Sequence, residues 1–241
     1  MPLACPFPLR NRQGTTNGKG FSMITAYKTV YLGGQGEITE KKSRFIATIE
    51  PVRSEEEAAA FLERTKKNYW NASHNCSAFI IGHENQLTRC SDDGEPGGTA
   101  GRPMLDVLLG EGLCDTAVVV TRYFGGTLLG TGGLVRAYSR AVQAGLLEAA
   151  VIEKQYARKL EIRTDYNGVG KIQYLLGQAG ITTLTSEYTD QVRLEILIPI
   201  NLVAELQKKL IEGTSGRAVL QPLDACWFAL YQGEVLLFPG E

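Results

Sequence analysis

An apolar run near the middle of the chain, TAVVVTRY at residues 116–123, gives the clearest strand signal. Its β-branched side chains and its length are typical of a strand that is buried on both faces. From residue 134 onward, apolar side chains recur at helical spacing, which predicts a helix directly after a glycine-rich turn. A second helix is predicted at 55–68, where Ser54 and Glu57 form a capping box ahead of an apolar stripe.

Shorter patterns complete the first part of the chain. They predict strands at 27–31 and 36–50 and a hairpin formed by 75–82 and 86–90. They also predict a short helix at 104–109, with Pro103 in its first turn. Lys41, Lys42 and Arg44 lie at a bend within the second of these strands. Strands and helices mixed in this way indicate an α+β layer rather than a regular parallel repeat.

After residue 152 strands and helices follow in the order β-α-β-β-α-β, with predicted ranges 158–164, 169–178, 181–188, 191–198, 202–212 and 218–230. This order is typical of the ferredoxin-like fold. We therefore expect an α+β protein of two domains, residues 23–152 and 153–241. Residues 1–22 are rich in Pro, Gly, Asn and Thr, and we expect them to form a disordered extension.

The amino-acid composition limits the classes of function that the protein can have. With 44% hydrophobic residues, 21% charged residues and a formal net charge of −1, the chain is typical of a soluble globular protein. A dedicated nucleic-acid-binding domain is usually basic, so any RNA contact must rest on a local patch. Five scattered cysteines without a C-x-x-C pair indicate reduced thiols and a cytoplasmic protein. No apolar run approaches the roughly 18 residues that span a membrane, so no membrane partner is expected.

The glycine-rich segment after the central strand is the first candidate binding site. Its small residues would let a ligand approach backbone amides at the start of the predicted helix, where the helix dipole favours an anion such as phosphate. These residues are Gly125, Gly126, Gly130, Gly132 and Gly133. The segment contains neither a P-loop nor a dinucleotide fingerprint. Glycines also serve tight turns and close packing, and the sequence leaves that alternative open.

Cations and aromatic rings accompany these glycines. Arg102, Arg122 and Arg136 can each contact a phosphate in a bidentate way, and Tyr123 and Phe124 offer surfaces on which a base can stack. In the alternative interpretation, Arg122 or Arg102 pairs with a nearby acidic residue inside the site. The predicted bend adds three cations that either contact phosphate as well or form a solvated edge: Lys41, Lys42 and Arg44.

Polar residues upstream form a second candidate site, made of His74, Asp92, Asp93 and Glu95. The three carboxylates could hold Mg²⁺, but acids in a loop are more typical of a solvated turn. His74 lies two residues before Cys76 on one strand face, which would allow contact between a nucleophile and a base. Because cysteine-protease signatures and zinc-ligand spacings are both absent, we assign no catalytic residue, no metal and no cofactor.

Several long motifs resemble the IMPACT family, in its bacterial YigZ/YvyE branch: KKSRFIA at 41–47, HNCSAF at 74–79, SDDGEPGGTAGRPML at 91–105, RYFGG at 122–126 and LGTGGLVRAY at 129–138. The resemblance covers nearly everything after Met23. It implies a first domain similar to domain IV of elongation factor G, with a ribosomal-protein-like β-α-β fold. The second domain would be similar to domain V of that factor.

The resemblance also implies a role in translation. Eukaryotic members of the family are translation regulators that compete for the activator of a starvation-sensing initiation-factor kinase. We therefore expect a regulatory protein that binds RNA, the ribosome or a translation-related protein through a glycine- and arginine-rich face, rather than an enzyme. The alternative is a nucleotide- or phosphate-binding enzyme that uses the same loop. Small-molecule kinases of the galactokinase type share the implied topology, although GTGGLVRA lacks their serine pair.

Overall fold

The computed structural model describes residues 15–17, 21–83 and 86–238. The chain forms two compact units. The N-terminal unit contains Ala26–Gln155 and Phe228–Leu237, and the C-terminal unit is built on Tyr156–Trp227. Helices and mainly antiparallel strands in both units confirm the α+β class and the presence of two domains.

The elements of the first part follow the chain as β1 (Thr15–Asn17), β2 (Phe21–Met23), β3 (Ala26–Leu32), β4 (Gly34–Glu40), β5 (Ser43–Pro51), α1 (Glu55–Asn68), β6 (His74–Ile81), β7 (Leu87–Ser91), α2 (Gly101–Gly110), β8 (Leu113–Cys114), β9 (Thr116–Tyr123), α3 (Thr131–Glu148) and β10 (Ala150–Thr164). The expected disordered extension, residues 1–22, lies mostly outside the described residues. The two strands at its end, β1 and β2, pair antiparallel.

A five-stranded antiparallel sheet in the order β4-β5-β9-β6-β7 is the main sheet of the N-terminal unit. Its central strand β9 is buried up to Arg122, which confirms the prediction of a strand covered on both faces. The register sets Tyr123 opposite Arg44 of β5, and Arg122 opposite His74 of β6. The start of β5, the end of β9 and the start of β6 therefore lie at the same end of the sheet.

The single strand predicted at 36–50 is wrong, because the chain forms two strands there, β4 and β5. The register pairs Glu40 with Ser43, and the turn residues Lys41 and Lys42 have φ angles of 44° and 69°. Two consecutive left-handed residues are typical of a type I′ hairpin turn, which usually contains Asn or Gly. Two lysines do not indicate a turn of this type. The alternation of polar and apolar residues therefore predicted one continuous strand instead of two.

Helices cover both faces of this sheet. On one face α2 and α3 enclose a core that includes Val120 and Tyr138. On the other face α1 packs over a smaller core that includes Val119 and Phe61. Alternate residues of β9 therefore belong to different cores.

Helix α3 lies against β4 with little side chain between them. A Cβ on Gly36 would overlap the backbone of Ala144, so the close approach requires glycine at this point of the strand. The helix begins at Thr131, three residues before the predicted start at 134, because its first turn contains two glycines and no apolar periodicity.

The C-terminal unit begins with the second half of β10 and continues through α4 (Tyr166–Gln178), β11 (Thr182–Tyr188), β12 (Val192–Pro199), α5 (Val203–Gly213) and β13 (Val219–Tyr231), which β14 (Glu234–Phe238) follows in the chain. The predicted order β-α-β-β-α-β is confirmed. Strand β12 pairs antiparallel with both β10 and β11. The core beneath α4 and α5 includes Leu160, Ile172, Ile196 and Leu210.

Candidate nucleic-acid interface

One end of the five-stranded sheet brings together most of the residues predicted to bind phosphate or bases. The guanidinium carbon of Arg44 lies 6.0 Å from the ring centroid of Tyr123. Gly125 lies on the β4–β5 turn, where a Cβ would overlap the backbone of Lys42. We call this region the sheet-end surface and define it by Lys41, Lys42, Arg44, Tyr123, Phe124, Gly125, Gly126 and Arg136.

Arg136 belongs to this surface because of the position of α3. The helix lies along β4, with Ala144 beside Gly36 and Arg140 paired with Glu40 at 3.3 Å. The contacts of Gly34 with Ala149, of Gly36 with Ala144 and of Glu40 with Arg140 show that α3 runs antiparallel to β4. Arg136, one turn before Arg140 on the same helix face, therefore lies further towards the β4–β5 turn.

Acidic side chains near this surface are already paired with cations. The pairs are Glu37 with Arg44 at 2.7 Å, Glu40 with Arg140 at 3.3 Å and Asp93 with Lys66 at 3.2 Å. Lys41, Lys42 and Arg136 are exposed, and none of the three forms an ion pair with the described residues. The surface therefore has a local excess of positive charge on a chain whose formal net charge is −1.

Beneath the surface, Arg122 forms a buried ion pair. Its Nη1 lies 2.5 Å from Oε1 of Glu95, and the two side chains are 6% and 3% exposed. Tyr138 donates its hydroxyl to the same oxygen at 2.8 Å, and that hydroxyl oxygen lies 3.3 Å from Sγ of Cys76. The structure therefore shows the alternative in which the arginine pairs with an acidic residue inside the site.

Arg122 also supports the surface from below. Its guanidinium carbon lies 5.3 Å from the ring centroid of Phe45 and 5.5 Å from that of Phe124. Phe45 is fully buried, whereas Phe124 is 49% exposed. A cation held between two rings interacts favourably with both, so the exposed ring rests on a fixed charge.

Asp92 organises the loop that precedes α2. Its Oδ1 accepts hydrogen bonds from the amides of Ala100 and Gly101 at 3.0 and 2.8 Å, and its Oδ2 accepts one from Gly98 at 2.8 Å. Burial alone would raise the pKa of Asp92, but the amide hydrogen bonds outweigh that effect and hold the pKa below its usual 3.8. This carboxylate closes a turn, which matches the turn interpretation of the acidic segment rather than the Mg²⁺ interpretation.

We expect Asp92→Asn to destabilise the protein most above about pH 4. A depressed pKa in the folded state gives a stabilisation that is present above the unfolded pKa and is lost as the pH falls through the folded value. The difference in free energy of unfolding between wild type and variant, measured with urea at pH 7 and at lower pH, should therefore shrink on acidification. Asp106→Asn, which removes a surface ion pair with Arg102, is the control and should change little at either pH. If the free-energy difference between wild type and Asp92→Asn were the same at every pH, the lowered pKa of Asp92 in the folded state would be refuted.

His74 and Cys76 do not form the pair of nucleophile and base that their spacing allows. Nδ1 of His74 lies 2.9 Å from the carbonyl oxygen of Asp93, and the thiol of Cys76 donates to the carbonyl oxygen of Asp92 at 3.0 Å. Burial raises the pKa of Cys76 to about 12. Because the thiolate is the reactive form, this cysteine is a structural residue at neutral pH.

Arg102 lies in the first turn of α2. It forms an ion pair with Asp106 at 2.8 Å, one turn further along α2, and both side chains are exposed. Its predicted contact with phosphate stays a prediction.

Two glycines of the loop serve the turn itself. Gly126 and Gly130 have φ angles of 79° and 73°, a conformation that glycine adopts without strain. By contrast, a Cβ on Gly132 would meet no atom of the described residues within 4 Å. Helix α3 begins after Gly130 without a side-chain cap, so a ligand can approach its first amides.

Comparison with known proteins relates this geometry to a family. The model of the Impact N-terminal domain matches residues 41–146, and that of a domain of unknown function, DUF1949, matches residues 162–217. The chain is 41% identical to the IMPACT family member YvyE of Bacillus subtilis, over 81% of this chain and 90% of that protein. The chain belongs to the IMPACT family. It is also 38% identical to the IMPACT family member YigZ of Escherichia coli K12, over 76% of this chain and 91% of that protein.

A solved structure described as the crystal structure of a hypothetical protein is also similar to this IMPACT family member. It superposes with a TM-score of 0.53 at 34% identity, over 84% of this chain and 99% of that one. Within the described residues, no helix is long and apolar enough to cross a membrane. The whole sheet-end surface lies within the part that matches the Impact N-terminal domain.

In this IMPACT family member, Trp70 also lies beside the sheet-end surface, although the sequence patterns did not indicate it as a candidate site residue. It is 82% exposed and lies in the turn after that helix. Its neighbour Asn71 accepts a hydrogen bond from the hydroxyl of Tyr123 at 3.0 Å, and Ser73 Oγ accepts one from the amide of Phe124 at 3.2 Å. The available signal was a tryptophan in a polar turn, which only the fold connects with β9.

Proposed function

We propose that this IMPACT family member is a cytoplasmic regulator associated with translation, and that it binds RNA, free or on the ribosome, through the sheet-end surface. The observation that carries the proposal is the group of exposed cations beside exposed aromatic rings, the cations having no ion pair within the described part of the chain: Lys41, Lys42, Arg136, Trp70 and Phe124. Phosphate contacts supply most of the affinity of proteins for nucleic acids, and rings add stacking with bases.

The test is sedimentation of the full chain with ribosomes and separate subunits at about 50 and 200 mM salt, a range over which phosphate contacts weaken steeply. The test variant is Lys42→Glu with Arg136→Glu. Each substitution should remove one phosphate contact and lower the salt slope by about 1. Arg122 is left intact, because reversing a buried charge would unfold the protein rather than report on binding.

A matched control carries the same change of charge on the other unit. Lys171→Glu with Lys208→Glu alters two exposed lysines of α4 and α5 and should leave binding unchanged. Equal loss in both double variants would mean that net charge alone drives the association, and no association at either salt would refute RNA binding.

A phosphate-binding enzyme remains the second candidate, favoured by the uncapped start of α3 at Gly130. If the protein is such an enzyme, ATP or GTP with Mg²⁺ should raise the free energy of unfolding of the same purified protein. A ligand at a hundredfold excess over its Kd adds about 2.7 kcal/mol to the free energy of unfolding. Such stabilisation without ribosome association would favour the enzyme.

A further inference from the structure

We infer that the RNA bound by this surface is single-stranded, and that its unpaired bases stack on Trp70 and Phe124. The inference rests on the proposed function and names its substrate class. Two large rings are exposed at one end of one sheet, 82% for Trp70 and 49% for Phe124. Bases in a duplex are stacked on one another and hidden from such rings, whereas a single strand offers every base face to them.

Phe124 is held in the orientation that stacking requires. One side of its ring faces the Arg122 guanidinium, whose carbon lies 5.5 Å from the centroid, and Arg122 is itself fixed by Glu95. Its amide donates to Ser73 Oγ at 3.2 Å. The ring is therefore supported from the protein side and keeps its outer face for a ligand, so little conformational freedom is lost on binding.

Tyr123 has a different role from the two rings proposed to stack with bases, Trp70 and Phe124. Its hydroxyl donates a hydrogen bond to Oδ1 of Asn71 at 3.0 Å, and its ring lies beside the Arg44 guanidinium. Tyr123 therefore stabilises the turn that contains Trp70. Asn71 directly follows Trp70 in the chain. The contact therefore connects the turn that contains Trp70 to the end of β9.

Each ring has an exposed lysine close to it in the chain or in the fold, which favours an anionic strand over an apolar partner. Lys67 is exposed on the last turn of α1, three residues before Trp70. The backbone of Lys42 lies against Gly125, which directly follows Phe124, and the Lys42 side chain is exposed. Exposed rings and exposed cations in the same region match the alternation of base and phosphate in a single strand.

The experiment measures the binding of two fluorescent probes by anisotropy at about 50 mM salt: an RNA strand of about 12 nucleotides, and the duplex that it forms with its complement. The full chain should prefer the strand. Trp70→Ala should weaken strand binding about tenfold and leave duplex binding unchanged, since one stacked base is lost. Trp70→Phe should restore most of the affinity. Leu147→Ala, which removes an 86% exposed apolar side chain at the other end of α3, is the control and should change neither.

The two proposals fail in different ways. Equal affinity for strand and duplex, or a Trp70→Ala variant that binds the strand like wild type, would overturn the stacking inference. In that case the Lys42→Glu with Arg136→Glu variant would still bind both probes more weakly, and the proposed RNA function would stand. Absence of binding to either probe, together with absence of ribosome association, would overturn both. Thermal unfolding of each variant verifies that the exposed substitutions leave the fold intact.

Discussion

Replacing Arg122 by leucine is expected to lower the free energy of unfolding of the N-terminal unit by about 3–5 kcal/mol. The variant leaves the Glu95 carboxylate, whose side chain is 3% exposed, without its cation. The hydroxyl of Tyr138 would be the remaining strong donor to Oε1. A buried charge that loses its partner destabilises far more than the intact pair stabilises. Urea denaturation followed by circular dichroism measures the loss.

The matched control is Arg44→Leu. Arg44 pairs with Glu37 at 2.7 Å, but those side chains are 53% and 43% exposed, so the loss should be about 0–1 kcal/mol. Adding Glu95→Gln to Arg122→Leu should recover much of the lost stability, because glutamine keeps an acceptor for Tyr138 and removes the unpaired charge. Similar losses from Arg122→Leu and Arg44→Leu would contradict a buried, coupled pair.

A second large effect is expected from Gly36→Ala. The added methyl group would overlap the backbone of Ala144, and neither α3 nor β4 can yield at that point without moving as a whole. Overpacking of a close helix-on-strand contact costs typically 1–3 kcal/mol, and contact with backbone places this site near the upper end, at about 3 kcal/mol. Thermal and urea unfolding measure the change.

Gly132→Ala provides the comparison in the same unit. In the part of the chain that the structure describes, no atom lies within 4 Å of a Cβ at this position, and the backbone there is helical. Alanine should therefore raise the free energy of unfolding by about 0.4–1 kcal/mol. If both alanine variants stabilised the protein, the close approach of α3 to β4 would be refuted.

These predictions depend on contacts that the sequence pattern could indicate only in part. Strand β9 and helix α1 were predictable because neighbouring residues determine them: an apolar run defines the strand, and Ser54 caps the helix by accepting the amide of Glu57 at 3.2 Å. The pair of Arg122 and Glu95 lies 27 residues apart and appeared only as one of two alternatives. Which acidic residue meets the arginine depends on how β6, β9 and the loop before α2 pack.

The sequence predicted which residues of the sheet-end surface could bind phosphate or bases. It did not predict that the fold brings these residues together at one end of the sheet. Lys42 and Phe124 are far apart in the chain, and the hairpin of β4 and β5 brings them together through a turn without a glycine or asparagine signal. Trp70 was missed for the same reason, because its proximity to Tyr123 arises through Asn71. Periodicity identifies faces, whereas the register between strands decides which loops meet.

The return of Phe228–Leu237 to the N-terminal unit has a consequence for how the protein is made. Residues 156–227 lie between this segment and the rest of its unit in the chain. At about 5–20 residues per second, roughly 4–16 s pass between synthesis of Gln155 and of Leu237. A nascent chain that has just passed Gln155 therefore holds an incomplete first unit, which reaches its final form only after Leu237 has been synthesised.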